Sequence, residues 1–262
     1  MTIKYGKSIN NNVAIRQRYE KALDSIVTKM RKDTEKELKS IFRSSSAKRY
    51  FNLAQDDKKN QSISTRSKLA IAALLLKFKL MFNGSARKLA LRLAADTERY
   101  AATSVRSSLQ ELLGETRNTS IVSKVGLTRT QAIINENVSI IKSLPQQYFT
   151  QITNSVMEAI VTGQNAGLEA AIQKHGNVTE RRAKAIAADQ THKATQAIAM
   201  QKMLDQGIKR FQWVYTYRSK EPRVYHIARD KKIYRFDKPP GGELPGGPPN
   251  CKCVIKPVAE LE

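Results

Sequence analysis

The residues best suited to chemistry crowd toward one end of the chain. Cys251 and Cys253 are its two cysteines, and His226 is one of three histidines. On an extended strand, residues i and i+2 face the same way, so both sulfurs can approach one object. Three chemistries fit. One is a metal site, zinc for preference, with two thiolates, His226 as third ligand, and Asp230, His192 or water as the fourth. Another is structural, with two small apolar thiols packed in a small core. The last is nucleophilic, a thiol with His226 as its base. Common zinc modules space their paired cysteines more widely than Cys251 and Cys253. The nucleophilic reading lacks a third residue to orient the imidazole. A disulfide between the two cysteines would close a small, strained ring. With no apolar leader after Met1, a reducing compartment is expected, which also disfavours it.

Other reactive side chains have plainer readings. His175 sits beside Gly176 and suits a helix end. Asp189 and Glu180 read as surface acids of helices. Gly241, Gly242, Gly246 and Gly247 lack the strand–helix context of a phosphate-cradling loop. The acids near the cluster in sequence are Glu221, Asp230 and Asp237, and no spacing pairs two of them for acid–base work.

The elements that must position this cluster change character at Gly207. Before it, apolar residues recur at helical spacing. Residues 1–12 read as a loose polar lead-in. A helix is expected from Val13 to about Phe42, with Ile15, Tyr19, Leu23, Ile26, Met30 and Leu38 inward. Ser44 to Ser46 and the polar stretch Asp56–Thr65 interrupt the pattern. A second helix spans Arg66–Phe82, broken by Asn83, Gly84 and Ser85. A third spans Ala86–Leu113, with Leu89, Leu91, Leu93, Tyr100, Val105 and Leu109 buried, and stops at Gly114. A connector over residues 115–127 leads to a helix capped by Thr128 and ending near Ile141. Ser143 and Pro145 open another, to about Thr162. Gly167–His175 is a short helix, and Gly176 and Asn177 divide it from a last one ending at Gly207.

After Gly207 the residues turn aromatic and β-branched. Phe211–Tyr217, Arg223–His226 and Lys232–Phe236 read as strands, and Cys251–Val258 as a final one. Residues 239–250 hold five Pro and four Gly, which forces an extended loop. The expected fold class is α+β, a mainly helical body with a small C-terminal β-rich, loop-rich module. Three regions follow: 1–125, a basic helical region; 126–206, a second helical region; and 207–262, the β module. A module of about 50 residues with so long a loop has little core, and small modules often need a staple. A bound zinc supplies on the order of 10 kcal/mol of apparent folding free energy.

Charge dominates the surface. The chain carries 46 Lys+Arg against 23 Asp+Glu, a net +23 over 262 residues. Residues 1–120 hold 25 basic and 11 acidic side chains, and no run of five consecutive Lys/Arg occurs, so the charge is dispersed over helix faces. A compact chain this basic repels itself unless an anionic partner lies beside it, and nucleic acid is the usual one. Candidate phosphate contacts are Arg43, Lys48, Arg49, Lys58, Lys59, Arg181 and Arg182. No zinc-finger, homeodomain or RNA-recognition signature is present, so binding would be independent of sequence. The longest apolar stretch, Leu69–Phe82, is 14 residues long and contains Lys77 and Lys79. It reads as a buried helix, too short to span a membrane.

The C-terminal half resembles a known family in the order of its motifs. A helix with Arg181, Ala183, Ile186 and the central acid Asp189 is followed by Gly207, then Trp213, then Arg223, Val224 and His226. A Pro/Gly loop leads to Pro249, Asn250, Cys251, Lys252 and Cys253. This order is similar to that of the tailed-phage head morphogenesis family typified by the Mu F minor head protein, over about residues 128–258. Three positions depart from the family pattern. Glu221 stands where an acid usually follows the Trp strand more directly, Ala228 to Lys231 replace a shorter Gly turn, and Lys252 replaces Arg, which keeps the charge but not the forked donor.

The resemblance implies a non-enzymatic minor capsid protein, made in the host cytoplasm and placed inside the head near the portal vertex. Its implied partners are the portal protein, the major capsid or scaffolding protein, and double-stranded DNA. Two alternatives compete: a metal-dependent nuclease built on His226, Cys251 and Cys253, and an ejected protein that binds DNA or membrane.

Overall fold

A computed structural model describes residues 2–43, 63–115, 117–119, 123–162, 166–217 and 222–261. The elements run β1 (Thr2–Tyr5), α1 (Val13–Arg43), α2 (Ile63–Leu113), α3 (Lys124–Thr162), α4 (Ala166–Asp205), β2 (Arg210–Val214), α5 (Val224–Ala228), β3 (Ile233–Arg235) and β4 (Val254–Leu261). A single 3-10 turn, Pro240–Gly242, lies in the loop before β4. The chain is therefore α+β, mainly helical with one small sheet, as its periodicity predicts.

Three expected helix breaks are not breaks. Gly84 lies within α2, because Phe82 and Ala86 on either side are fully buried. Packing of that face outweighs the roughly 1 kcal/mol cost of a mid-helix glycine. Pro145 lies within α3. Ile141, Leu144 and Tyr148 around it are buried, and Ser143 donates its hydroxyl to the Ile140 carbonyl instead of capping a new helix. Gly176 lies within α4, where a Cβ would collide with Cδ of Arg31. It is a packing position, not a terminator. The cap of α3 is Ser123, which accepts the Gly126 N–H at 3.1 Å; the Thr128 hydroxyl instead donates back to the Lys124 carbonyl.

The helices contribute to two compact units. Residues 20–88 and 138–186 form one. Its interior holds Leu23, Met30, Phe78, Phe82, Tyr148, Phe149 and Ile152. Phe78 stacks on Phe149 at 6.1 Å, and Arg31 joins Glu180 and Gln173 at 3.0 Å each. Glu180 is thus an ion-pair partner and not a bare surface acid. The Leu69–Phe82 stretch is only half interior: Ile71, Leu74, Phe78 and Phe82 are buried, while Leu69, Leu76 and Leu80 are exposed. By length and composition alone, α2 is long and apolar enough to cross a membrane.

Residues 1–19, 89–137 and 187–262 form the other unit. Its antiparallel sheet has the order β1-β4-β2-β3. The N-terminal segment is not a loose lead-in. β1 pairs with β4 through Thr2–Leu261 to Tyr5–Val258, and the Gly6 and Ile9 N–H groups continue onto the Pro257 and Ile255 carbonyls. Ile9 is buried in a core with Val105, Leu109, Met203, Phe211, Trp213 and Ile255. Composition marks residues 1–12 as polar; only pairing with a strand some 250 residues away reveals their role. Leu91, expected inside, is exposed, since residues two apart do not share a helix face.

Gly207 ends α4 in the left-handed region at φ 80°, and the Ile208 N–H reaches back to the Met203 carbonyl. The chain can then turn directly into β2. There Phe211 and Trp213 are buried and their neighbours half-exposed, the alternation of a strand covered on one side. Arg223–His226, expected as a strand, instead enters one turn of helix, Val224–Ala228. Its N–H groups are satisfied locally by the Arg223 carbonyl, and it buries only His226, leaving Val224, Tyr225 and Ile227 exposed.

Candidate metal centre

Three elements bring the cluster together. α5 turns His226 inward, the Pro/Gly loop delivers Cys251, and the extended segment entering β4 delivers Cys253. Both cysteines precede the strand instead of lying on it, yet their sulfurs converge as the i, i+2 spacing predicts. His226 Nδ1 is 3.6 Å from each sulfur, and the three ligand atoms lie within 4.8 Å of one another. All three residues are at most 2% exposed, and both cysteines are free thiols.

The surroundings orient each member. On the far side of the imidazole, His226 Nε2 lies 3.4 Å from Oε2 of Glu243, which also accepts from Arg229 at 2.8 Å. Burial would raise the Glu243 carboxyl, but the hydrogen bonds from Arg229 and His226 outweigh it and hold it below its ordinary range. The Arg229 guanidinium stacks over Trp213 and Tyr225, at 5.0 and 4.8 Å from the ring centroids, and Trp213 meets the His226 ring edge-on at 5.1 Å. The Gly246 N–H points at Cys251 Sγ, 3.4 Å away. Hydrogen bonding from Cys253 and from backbone amides pulls the Cys251 thiol down to about 6, against the opposing effect of burial, while its partner Cys253 is pushed up. One proton shared between two sulfurs is the physical content of that split.

Neither suggested fourth ligand joins the group. The Asp230 carboxylate accepts the Tyr215 N–H at 2.8 Å. His192 uses both ring nitrogens, Nε2 on the Cys253 carbonyl and Nδ1 on the Asn11 side chain, each at 2.8 Å. Burial drives its pKa down to about 4, so it is neutral. A carbonyl only accepts, so Nε2 carries the proton.

Several supporting residues were not identifiable as such in the sequence. Asp189 accepts the Asn250 N–H at 2.6 Å, anchoring the residue before Cys251, itself at φ 58°. Gln196 donates to the Ile9 carbonyl at 2.7 Å and accepts the Ile255 N–H at 2.9 Å, tying the N-terminal segment to β4. Arg223 reaches the Pro249 carbonyl at 2.9 Å. The signal was faintly present for Asp189, as the central acid of its helix, and absent for Gln196. His175 lies inside α4, its Nε2 2.8 Å from the Ser155 hydroxyl, and caps no helix end. Among the candidate phosphate contacts, Arg43 and Arg181 are exposed and Arg182 is half-buried, donating to Ser143 Oγ at 3.3 Å. Lys48, Arg49, Lys58, Lys59 and Glu221 lie outside the described residues.

Residues 150–256 match the model of the family described as "Phage Mu protein F like protein". This part of the chain is similar to the Mu F-like family. The matched span takes in Asp189, His192, Gln196, Trp213, His226, Glu243 and both cysteines, while β1, Ile9 and Asn11 come from outside it. The chain is also 34% identical over 134 residues to an uncharacterized protein of Haemophilus influenzae. That alignment covers 50% of this chain and 30% of the relative, so the chain spans well under two thirds of the relative's length. No solved structure matches.

Proposed function

We propose that this is a minor capsid protein of a tailed phage, held inside the head at the portal vertex and lying against packaged DNA without reading its sequence. The Mu F-like match over residues 150–256 carries this reading. The net charge of +23 supports it independently, because a surface facing dense polyphosphate gains affinity from each counterion it releases. Its role is structural, in head assembly, DNA packaging or ejection. Its partners are the portal protein and the major capsid or scaffolding protein. Among the described residues no carboxylate shares the donor group of His226, Cys251 and Cys253, and a nuclease needs one to hold its ion or activate water.

Co-purification with the portal protein of the same phage tests the placement. A stable complex is expected, and its absence from assembled heads would overturn the reading. Gel retardation tests the DNA contact. Unrelated duplexes should shift equally at low salt, with log K falling by about 0.9 per phosphate contact for each unit of log salt. Binding that does not weaken with salt would refute the electrostatic account.

One observation favours a second reading, a protein ejected with the DNA that touches membrane. Leu69, Leu76 and Leu80 recur on one exposed side of α2. Flotation with anionic liposomes supports that reading, and protein left at the bottom of the gradient removes it.

A further inference from the structure

The donor set of His226, Cys251 and Cys253 is more ordered than two packed thiols require. We propose that these three residues bind one zinc ion, with Glu243 as the carboxylate that fixes the histidine from behind, and that this ion braces the Pro/Gly loop against α5 and β4. The proposal stands apart from the phage-head reading, since it rests on this chain's own side chains.

The N···S spacing is that of a tetrahedral edge. Zinc holds sulfur at about 2.3 Å and nitrogen at about 2.0 Å, which places the two ligand atoms roughly 3.6 Å apart in a tetrahedron. Both N···S separations here are 3.6 Å. Hydrogen bonding to the imidazole does not account for both sulfurs. Glu243 takes the proton on Nε2, leaving Nδ1 with a single lone pair. Two equidistant sulfurs then face one acceptor, and at most one S–H can donate to it. An ion engages all three atoms at once.

The shell around the sulfurs suits thiolates. The Gly246 N–H faces Cys251 Sγ at 3.4 Å. The buried Trp213 indole N–H has no hydrogen-bond partner. Unpaired buried donors are rare, and this one belongs to the ring that meets His226 edge-on at 5.1 Å. Charge also closes. Two thiolates neutralise a divalent cation, and Glu243 is neutralised by Arg229 at 2.8 Å, so the buried cluster carries no net charge. The carboxylate–histidine–metal arrangement sets the tautomer that frees Nδ1. Burial of all three ligands suits a bracing role.

The test uses the full chain, purified without chelator or metal-affinity resin and then dialysed against zinc. About one zinc per chain is expected by elemental analysis; less than about a tenth after reconstitution would overturn the site. Cobalt in place of zinc should give tetrahedral d–d bands and a thiolate charge-transfer band, and a cobalt spectrum without the latter would also overturn it. Cys253→Ser should lose the metal; if that variant does not fold, the wild-type cobalt spectrum decides alone. Glu243→Gln should bind one equivalent but release it to a competing chelator at roughly ten- to a hundredfold lower affinity. Unchanged affinity would remove Glu243 from the site.

Discussion

At the scale of single residues, the loop that carries the cysteines is held by backbone geometry as well as by its side-chain contacts. Gly246 sits at φ 76°, and a Cβ there would lie 2.7 Å from Cγ of Gln196 and 3.2 Å from Cδ2 of His192. Gly242, at φ 72°, has nothing within 4 Å of the same position. Both glycines use the left-handed region, which costs other residues about 1–2 kcal/mol, but only Gly246 adds a collision with the residue that ties Ile9 to β4. Gly242→Ala should therefore lose about 1 kcal/mol, and Gly246→Ala at least about twice that. Urea unfolding of the two variants measures the difference, and equal losses would show that contact with Gln196 is unimportant. The ligand residues were legible in the sequence because their types are rare and their spacing short. Their supports were not. Glu243, Gln196 and Asp189 are common polar residues, and only the fold brings them to the His226 ring, the Ile9 carbonyl and the Asn250 N–H.

At the scale of elements, the helices were legible in kind but not in extent. A glycine, or a serine followed by proline, marks a boundary when local preference decides. Here the buried faces around Gly84, Pro145 and Gly176 decide instead, and each helix runs through. Gly84 tests this directly. It is exposed, within regular helix, with open space at its Cβ, so Gly84→Ala should stabilise the chain by about 1 kcal/mol through helix propensity. A break with a left-handed glycine would give a loss instead, and thermal unfolding reads the sign. Tyr148 of α3 gives a second test, in pH. Burial pushes its phenol up to about 12 from an ordinary value of 10, and its hydroxyl has no partner within hydrogen-bond distance. The folded-state pKa is raised, so the contribution is complete below pH 10 and is lost as pH rises toward 12. At most about 2–3 kcal/mol is involved. Tyr148→Phe removes an unpaired buried hydroxyl and should be near neutral at pH 8. It should then flatten the loss of stability between pH 10 and 12, measured by urea unfolding at fixed pH steps.

At the scale of the whole molecule, the region that matches the family model is not the region that folds. Residues 150–256 contain the cluster, but the sheet whose strand β4 begins just after Cys253 has β1 as one edge, and its core takes Ile9 from the N-terminal segment and Val105, Leu109 and Leu112 from α2. Sequence reading placed the β module in residues 207–262 because composition changes at Gly207, and composition carries no record of a partner strand so distant along the chain. The consequence is measurable. A fragment of residues 150–256 would expose Phe211, Trp213 and Ile255, lose the hydrogen bond from Gln196 to the Ile9 carbonyl, and leave β4 without its outer neighbour. Each buried aromatic or aliphatic side chain returned to water forfeits about 1.5–3 kcal/mol, so these three forfeit about 5–9 kcal/mol, comparable to the 5–15 kcal/mol that keeps a domain folded. The fragment should therefore lack cooperative thermal unfolding, with zinc present or absent, while the full chain melts cooperatively. Deleting only residues 2–9 from the full chain should show the same dependence more gently, as a lower melting temperature and as faster proteolysis near Cys251. A fragment that melts cooperatively by itself would make the N-terminal strand an accessory, and the Mu F-like span a domain in its own right.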